Sequence, residues 1–175
     1  TRQDQVNLQY SLFIVKGELV NGNMLRIASQ DNLTLNAENP EGSDIGMHSW
    51  MALAGAEVTG YDTSRSAFLG TYGGYHQPEA VARGRCSNSD AYGDNACGSL
   101  QTRVVLQPGE TREILVLLGI GDARKVGSTT LATYGNIERA RLELVNLKQY
   151  WHEKLESLSV KTPDPDFDHY INVWG

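Results

Sequence analysis

Few groups of residues in this chain have the types and spacing that chemistry needs. Asp164, Asp166 and Asp168 repeat at the interval that opens a calcium-binding loop. That loop needs a glycine at its sharp turn and a bidentate glutamate at its end, and His169 and Gly175 stand there instead. The spacing therefore predicts an acidic helix start, where carboxylates meet the partial positive charge of the helix N-terminus, and no metal is expected. Gly119-Ile120-Gly121-Asp122-Ala123-Arg124 begins like a dinucleotide fingerprint, but Arg124 replaces the third glycine, so a loop leaving a strand is expected. His76 lies within reach in sequence of Cys86 and Asp90, the makings of a Cys-His nucleophile, without any local signature to support one. No P-loop, HExxH or GxSxG occurs.

What remains is a surface. Tyr72, Tyr75, His76, Asn88, Asp90, Tyr92, Asp94 and Asn95 fall in a glycine-rich stretch, 70–98, with Tyr61, Asp62 and Arg65 just before it. Aromatic faces beside planar amides and carboxylates suit sugar rings, whose C–H faces stack and whose hydroxyls need polar partners. Those eight residues are the candidate substrate-binding or interface set. The same types also describe the polar loops of any β-sandwich, and no catalytic residue is assigned.

The elements that must position these residues follow from composition and pattern. At 175 residues the chain can bury a single core without metal or disulfide staples. Its net charge of -6, from 15 basic and 21 acidic residues with no basic stripe, excludes nucleic acid as a natural partner. The longest apolar run, residues 114–118, is far too short to cross a bilayer. Cys86 and Cys97 are too few for a disulfide framework and predict reduced thiols in a cytoplasmic protein. The sequon Asn32-Leu33-Thr34 would matter only in a secreted one.

Apolar and β-branched runs at 12–15, 18–20, 24–27, 33–35, 50–54, 100–106 and 113–118, separated by turn residues, predict a mainly β, antiparallel body. Pro108-Gly109 between the last two predicts a hairpin over 101–118, and 70–98 is expected to be one long irregular loop. From 134 to 158 the period changes: Ile137, Ala140, Leu144, Leu147, Trp151, Leu155 and Leu158 form one helical stripe, with Asn136 placed to cap it. After Pro163 and Pro165 a second helical pattern carries Phe167, Tyr170, Ile171 and Trp174. Such an aromatic face implies a longer polypeptide that covers it.

Beyond these patterns, Gly60-Tyr61-Asp62-Thr63-Ser64-Arg65-Ser66-Ala67-Phe68-Leu69-Gly70, Tyr72-Gly73-Gly74 and Gln77-Pro78-Glu79-Ala80-Val81 resemble the N-terminal domain of the cellobiose and cellodextrin phosphorylases, glycoside hydrolase family 94. Arg85-Cys86-Ser87-Asn88-Ser89, Gly98-Ser99-Leu100-Gln101, Leu106-Gln107-Pro108-Gly109-Glu110, Leu117-Leu118-Gly119, Val160-Lys161-Thr162-Pro163-Asp164 and Asn172-Val173-Trp174 follow in the same order. The resemblance implies a galactose-mutarotase-like β-supersandwich, its later part over 1–130. A linker helix over 131–160 and the start of an (α/α)6 catalytic barrel over 161–175 would follow. It also implies a parent enzyme that phosphorolyses a β-glucoside with inversion to α-glucose 1-phosphate. One general acid suffices for such a single displacement, and it would lie beyond Gly175. No metal or organic cofactor is implied, only inorganic phosphate as co-substrate. The implied partners are a β-glucan oligosaccharide or disaccharide, the rest of the enzyme and a second copy in a homodimer, to which the 72–95 stretch could lend a loop. Two alternatives are a free-standing carbohydrate-binding β-sandwich and the phosphorylase-like region of a cyclic β-1,2-glucan synthase.

Overall fold

A computed structural model describes residues 15–31, 43–93, 95–157 and 159–174. The 33–35 run, the sequon, Asp94 and Leu158 lie outside the described residues. Two compact units are present, Thr1–Ile137 and Glu138–Gly175.

In the first unit β1 (Val15–Val20), β2 (Met24–Asp31) and β3 (Ser43–Ala54) form an antiparallel meander. Asn21 and Gly22, with φ of 54° and 75°, make the tight reversal between β1 and β2, the backbone twist for which Asn-Gly is suited. β5 (Ala91–Tyr92) joins the β1 edge and β7 (Leu115–Ile120) the β3 edge, giving the order β5-β1-β2-β3-β7. A second, two-stranded sheet pairs β4 (Val58–Ser64) with β6 (Ala96–Thr102).

Strand alternation gives the larger sheet two different faces. Val20, Met24, Ala52 and Leu117 stand in one row across β1, β2, β3 and β7. That face is covered by a π-helical turn, Ala123–Gly127, and helix α3 (Ser128–Tyr134), so Met24, Trp50, Ala52 and Ala123 form the core, with Leu117 and Leu131 against it. A Cβ on Gly127 would stand 2.8 Å from Met24 Sδ, so only glycine lets this segment lie so close. Glu18 accepts from both Arg26 (3.2 Å) and Arg124 (2.9 Å), tying the turn to the sheet. On the opposite face, Leu19, Leu25, Met51 and Leu118 make the row. β4 and β6 lie against its β1–β2 end. Toward β7 the face is open, a cleft of about 500 Å³ lined by Leu25, Ile27, Met51, Leu118 and Ile120, with Leu118 75% and Ile120 85% exposed.

The expected hairpin over 101–118 is not formed. Its turn is there, closed by Glu110 N–H to Gln107 O (2.9 Å) and Gln107 N–H to the Glu110 carboxylate (2.9 Å). The flanking strands pair elsewhere, β6 with β4 and β7 with β3, and the chain between them crosses from one sheet to the other. The reason is the apolar pattern: Leu117 completes the buried row of Met24 and Ala52, whereas Val105 and Leu106 stay exposed. The expected irregular loop is likewise partly ordered, containing helix α2 (Glu79–Ala82) and β5, and α1 (Arg65–Leu69) immediately precedes it.

Helix α4 (Ile137–Glu156), nearly all of it in the second unit, begins directly after Asn136, the position expected for its cap, α3 having ended at Tyr134. Its stripe is exposed at Leu144, Leu147, Trp151 and Leu155. Helix α5 (Pro165–Trp174) is capped by Asp164, whose carboxylate accepts from the N–H groups of Asp166 (3.0 Å) and Phe167 (3.3 Å). Asp168 accepts from Thr162 N–H (2.8 Å) and Asn172 bonds both backbone groups of Val160, so the segment before the helix folds back on it. The acidic spacing is thus that of a helix start. No helix among the described residues is long and apolar enough to cross a membrane.

The two sheets approach closely at Gly17, where a Cβ would come 2.7 Å from Thr63 Cβ on the smaller sheet and 3.3 Å from Ala91 Cβ on the neighbouring β5. Gly17→Ala should therefore lower stability by about 1–3 kcal/mol, the usual cost of overpacking. Urea unfolding at constant m-value checks this, and no change would place the sheets farther apart than described.

Candidate functional site

The glycine-rich region is organised by one buried carboxylate. Asp62 sits on β4 with no exposed surface. Its Oδ1 accepts from Ser87 Oγ (2.6 Å), Ser89 Oγ (2.7 Å) and the N–H groups of Ser87 and Ser89 (both 3.1 Å), and its Oδ2 also accepts from Ser87 N–H (3.1 Å). Burial alone would raise the carboxyl pKa, but the donors from Ser87 and Ser89 outweigh it and hold the group below the ordinary carboxylate value. The serines flank Asn88, which takes a left-handed φ of 58° and accepts from Tyr61 N–H (3.0 Å). Tyr61 donates its hydroxyl to Asp90 (3.0 Å), and burial together with that carboxylate raises the phenol pKa. Gln101 on β6 completes the clamp, accepting from Cys86 N–H and donating to Gly84 O, both at 2.9 Å.

The candidate residues separate under this geometry. Asn88 and Asp90 are engaged with Tyr61 and serve the scaffold. Tyr92 pairs with Lys16 across β5 and β1. Tyr72, fully exposed, and His76 line a cleft of about 250 Å³ with Gln77 and Glu79. Tyr75 and Asn95 meet instead at a cleft of about 390 Å³, beside Arg65, Phe68, Leu69 and Ala96. Arg65 Nη1 donates to the Tyr75 hydroxyl at 3.0 Å. Cys86 lines yet another cleft, with Ser99 and Gln101. Burial pushes its thiol pKa up, with the Asp62 charge adding to that and the Ser99 hydroxyl opposing it, so it is poorly suited to be a thiolate nucleophile. Phe68 and Glu79 escaped the sequence reading of the site. Arg65 and Phe68 stand three apart at the start of a helix, a spacing that puts them on one face, and that was the available signal.

Asp62→Ala would leave these donors without an acceptor, each costing about 1–3 kcal/mol when buried. A loss of at least about 3 kcal/mol is expected by urea unfolding. Because the folded pKa is depressed, the stabilisation is present above the unfolded value near 4 and is lost as pH falls through the folded pKa. The gap between wild type and Asp62→Asn should accordingly narrow below about pH 4; a gap independent of pH would show that the carboxylate charge contributes nothing.

Two antiparallel sheets, one face of the larger closed by helical segments, define a mainly β domain of the sandwich class. The chain belongs to the glycosyl hydrolase 94 supersandwich domain family, whose model matches residues 1–137. It is 38% identical over 118 residues to N,N'-diacetylchitobiose phosphorylase of Vibrio furnissii, covering 67% of this chain and 14% of that protein. It is 36% identical over 134 residues to solabiose phosphorylase of Paenibacillus borealis, covering 73% and 17%. A cyclic beta-(1,2)-glucan synthase, NdvB of Rhizobium meliloti, matches at 32% over 144 residues, covering 81% of this chain and 5% of that protein. The chain thus spans less than a fifth of the length of these relatives.

Proposed function

We propose that this chain is the later part of the supersandwich (1–130), the linker helix (131–160) and the start of the helical barrel (161–175) of an inverting phosphorylase. The parent converts a β-glucoside of the disaccharide or oligosaccharide type, with inorganic phosphate, to α-glucose 1-phosphate. It uses no metal or organic cofactor, works in the cytoplasm as a homodimer, and carries its general acid outside these residues. The observation that carries the reading is the family match over residues 1–137, with relatives named as phosphorylases. The open β7 face and the exposed stripe of α4 support it, since both offer apolar surface to further polypeptide.

In this reading the domain is a scaffold, and the turn carrying Tyr72 is what it presents to sugar or to the second subunit. The parent, given phosphate and a panel of β-linked disaccharides, should release an α-sugar 1-phosphate strictly in proportion to phosphate. Hydrolysis to free sugar without phosphate would overturn the assignment. Since Tyr72 is fully exposed, Tyr72→Ala should leave the melting temperature unchanged while raising KM for the acceptor, or weakening dimerisation, about tenfold. Unchanged kinetics together with unchanged sedimentation would reject that role. The coverage of NdvB, 81% of this chain, favours a cyclic β-1,2-glucan synthase as the second reading. An intact mass several times that of a phosphorylase, with cyclic product, would decide for it.

A further inference from the structure

We propose that the cleft between α1 and the start of β6 is a binding site for a saccharide ring, with Arg65 as its polar anchor. The proposal rests on the reading that this region of the domain meets carbohydrate, and it names where.

Separate segments meet at this cleft, each fixed to the others. Ser64 caps α1 by accepting from Ala67 N–H (3.3 Å), and Arg65 N–H donates to Asn95 O (3.2 Å), which ties the helix start to the approach of β6. Arg65 Nη1 reaches the hydroxyl of Tyr75 (3.0 Å), on a turn closed by Gln77 N–H to Gly74 O (3.0 Å). That turn is pressed onto α1: a Cβ on Gly73 would collide with the carbonyl oxygen of Leu69, so the position of Tyr75 depends on glycine there. The site is therefore assembled before any ligand arrives, which removes part of the ordering cost of binding.

Its chemistry is that of sugar recognition. Phe68, Leu69 and Ala96 give an apolar side, and a guanidinium, a phenol and a carboxamide give the polar one. A pyranose presents a C–H face to the first and neighbouring hydroxyls to the second. The Arg65 fork is planar and rigid, suited to adjacent oxygens, and a phenol that already accepts a hydrogen bond donates more strongly. The volume of about 390 Å³ lies within the range of small-molecule pockets, about 300–1,000 Å³. Among the described residues, the larger apolar cleft beside β7 has no polar lining side chains beyond Ser49 and the indole of Trp50, and no planar fork or amide. A phosphorylated ligand fits less well, because Arg65 is the one cationic side chain lining the cleft among the described residues.

The test is a titration of the isotope-labelled full chain with cellobiose and with N,N'-diacetylchitobiose, followed by NMR. Saturable shifts should gather at Arg65, Phe68, Tyr75 and Asn95 with millimolar affinity. Arg65→Met, which keeps the length of the side chain and removes its donors, should weaken binding about tenfold. If that variant does not fold, Tyr75→Phe, one oxygen removed from a largely exposed ring, should weaken binding severalfold. Non-saturable shifts, shifts centred on Tyr72 and His76, or a lowered melting temperature with unchanged affinity would overturn the site, the last showing Arg65 to be only a strut for the turn. A parent that is active with phosphate while the chain shows no binding here overturns this site and leaves the phosphorylase reading standing; binding here with an inactive parent does the reverse.

Discussion

A single ionised carboxylate, closed off from water, determines how the glycine-rich half of this domain is arranged. Asp62 cannot be buried as a charge unless its oxygens are satisfied, and the protein satisfies them with two serines and their own backbone N–H groups. Meeting that requirement forces residues 87–89 into a bend around the carboxylate, which puts Asn88 at positive φ and places Asp90 against Tyr61. The same segment then leads into β5, so the edge of the larger sheet is joined to the smaller one through this anion. Thr63, the next residue, works in the same sense, bonding Ser89 O through both its N–H and its hydroxyl while accepting from Ala91 N–H.

The antiparallel body, the long helix and the helix-starting aspartates were legible because each has a local signal: period-two alternation, period-three-to-four stripes, and carboxylates after proline. The partner of each strand was not. Gln101 to Leu106 and Glu113 to Leu118 flank a competent turn, yet pairing was decided by which row of buried side chains Leu117 could complete, and that row is contributed by residues far away in sequence. β4 went unnoticed as a strand because Thr-Gly-Tyr-Asp-Thr-Ser is polar, and its burial comes from hydrogen bonds rather than apolar contacts.

The site was legible in composition but not in grouping. Tyrosines, amides and carboxylates were visible as a set with affinity for polar rings. Asn88 and Asp90, however, belong to the Asp62 scaffold, whereas Tyr75 and Asn95 come together only because α1 and a tight glycine turn interlock. The motif that resembled a phosphorylase domain contains both kinds of residue, so family resemblance located the region without separating structural from surface-facing positions.

The strand order of the larger sheet also bears on how it assembles. β1, β2 and β3 are neighbours in sequence as well as in space, whereas the strands at both edges, β5 and β7, come from much later in the chain. Nearby segments close small loops and pair quickly, and distant ones wait on larger entropy losses. The β1–β2–β3 meander therefore carries the cheapest loop closures of the sheet, and the two edge strands the costliest. β4, β6 and the Asp62 anchor lie in sequence between β3 and β7, so the loop that β7 closes against β3 encloses the whole smaller sheet.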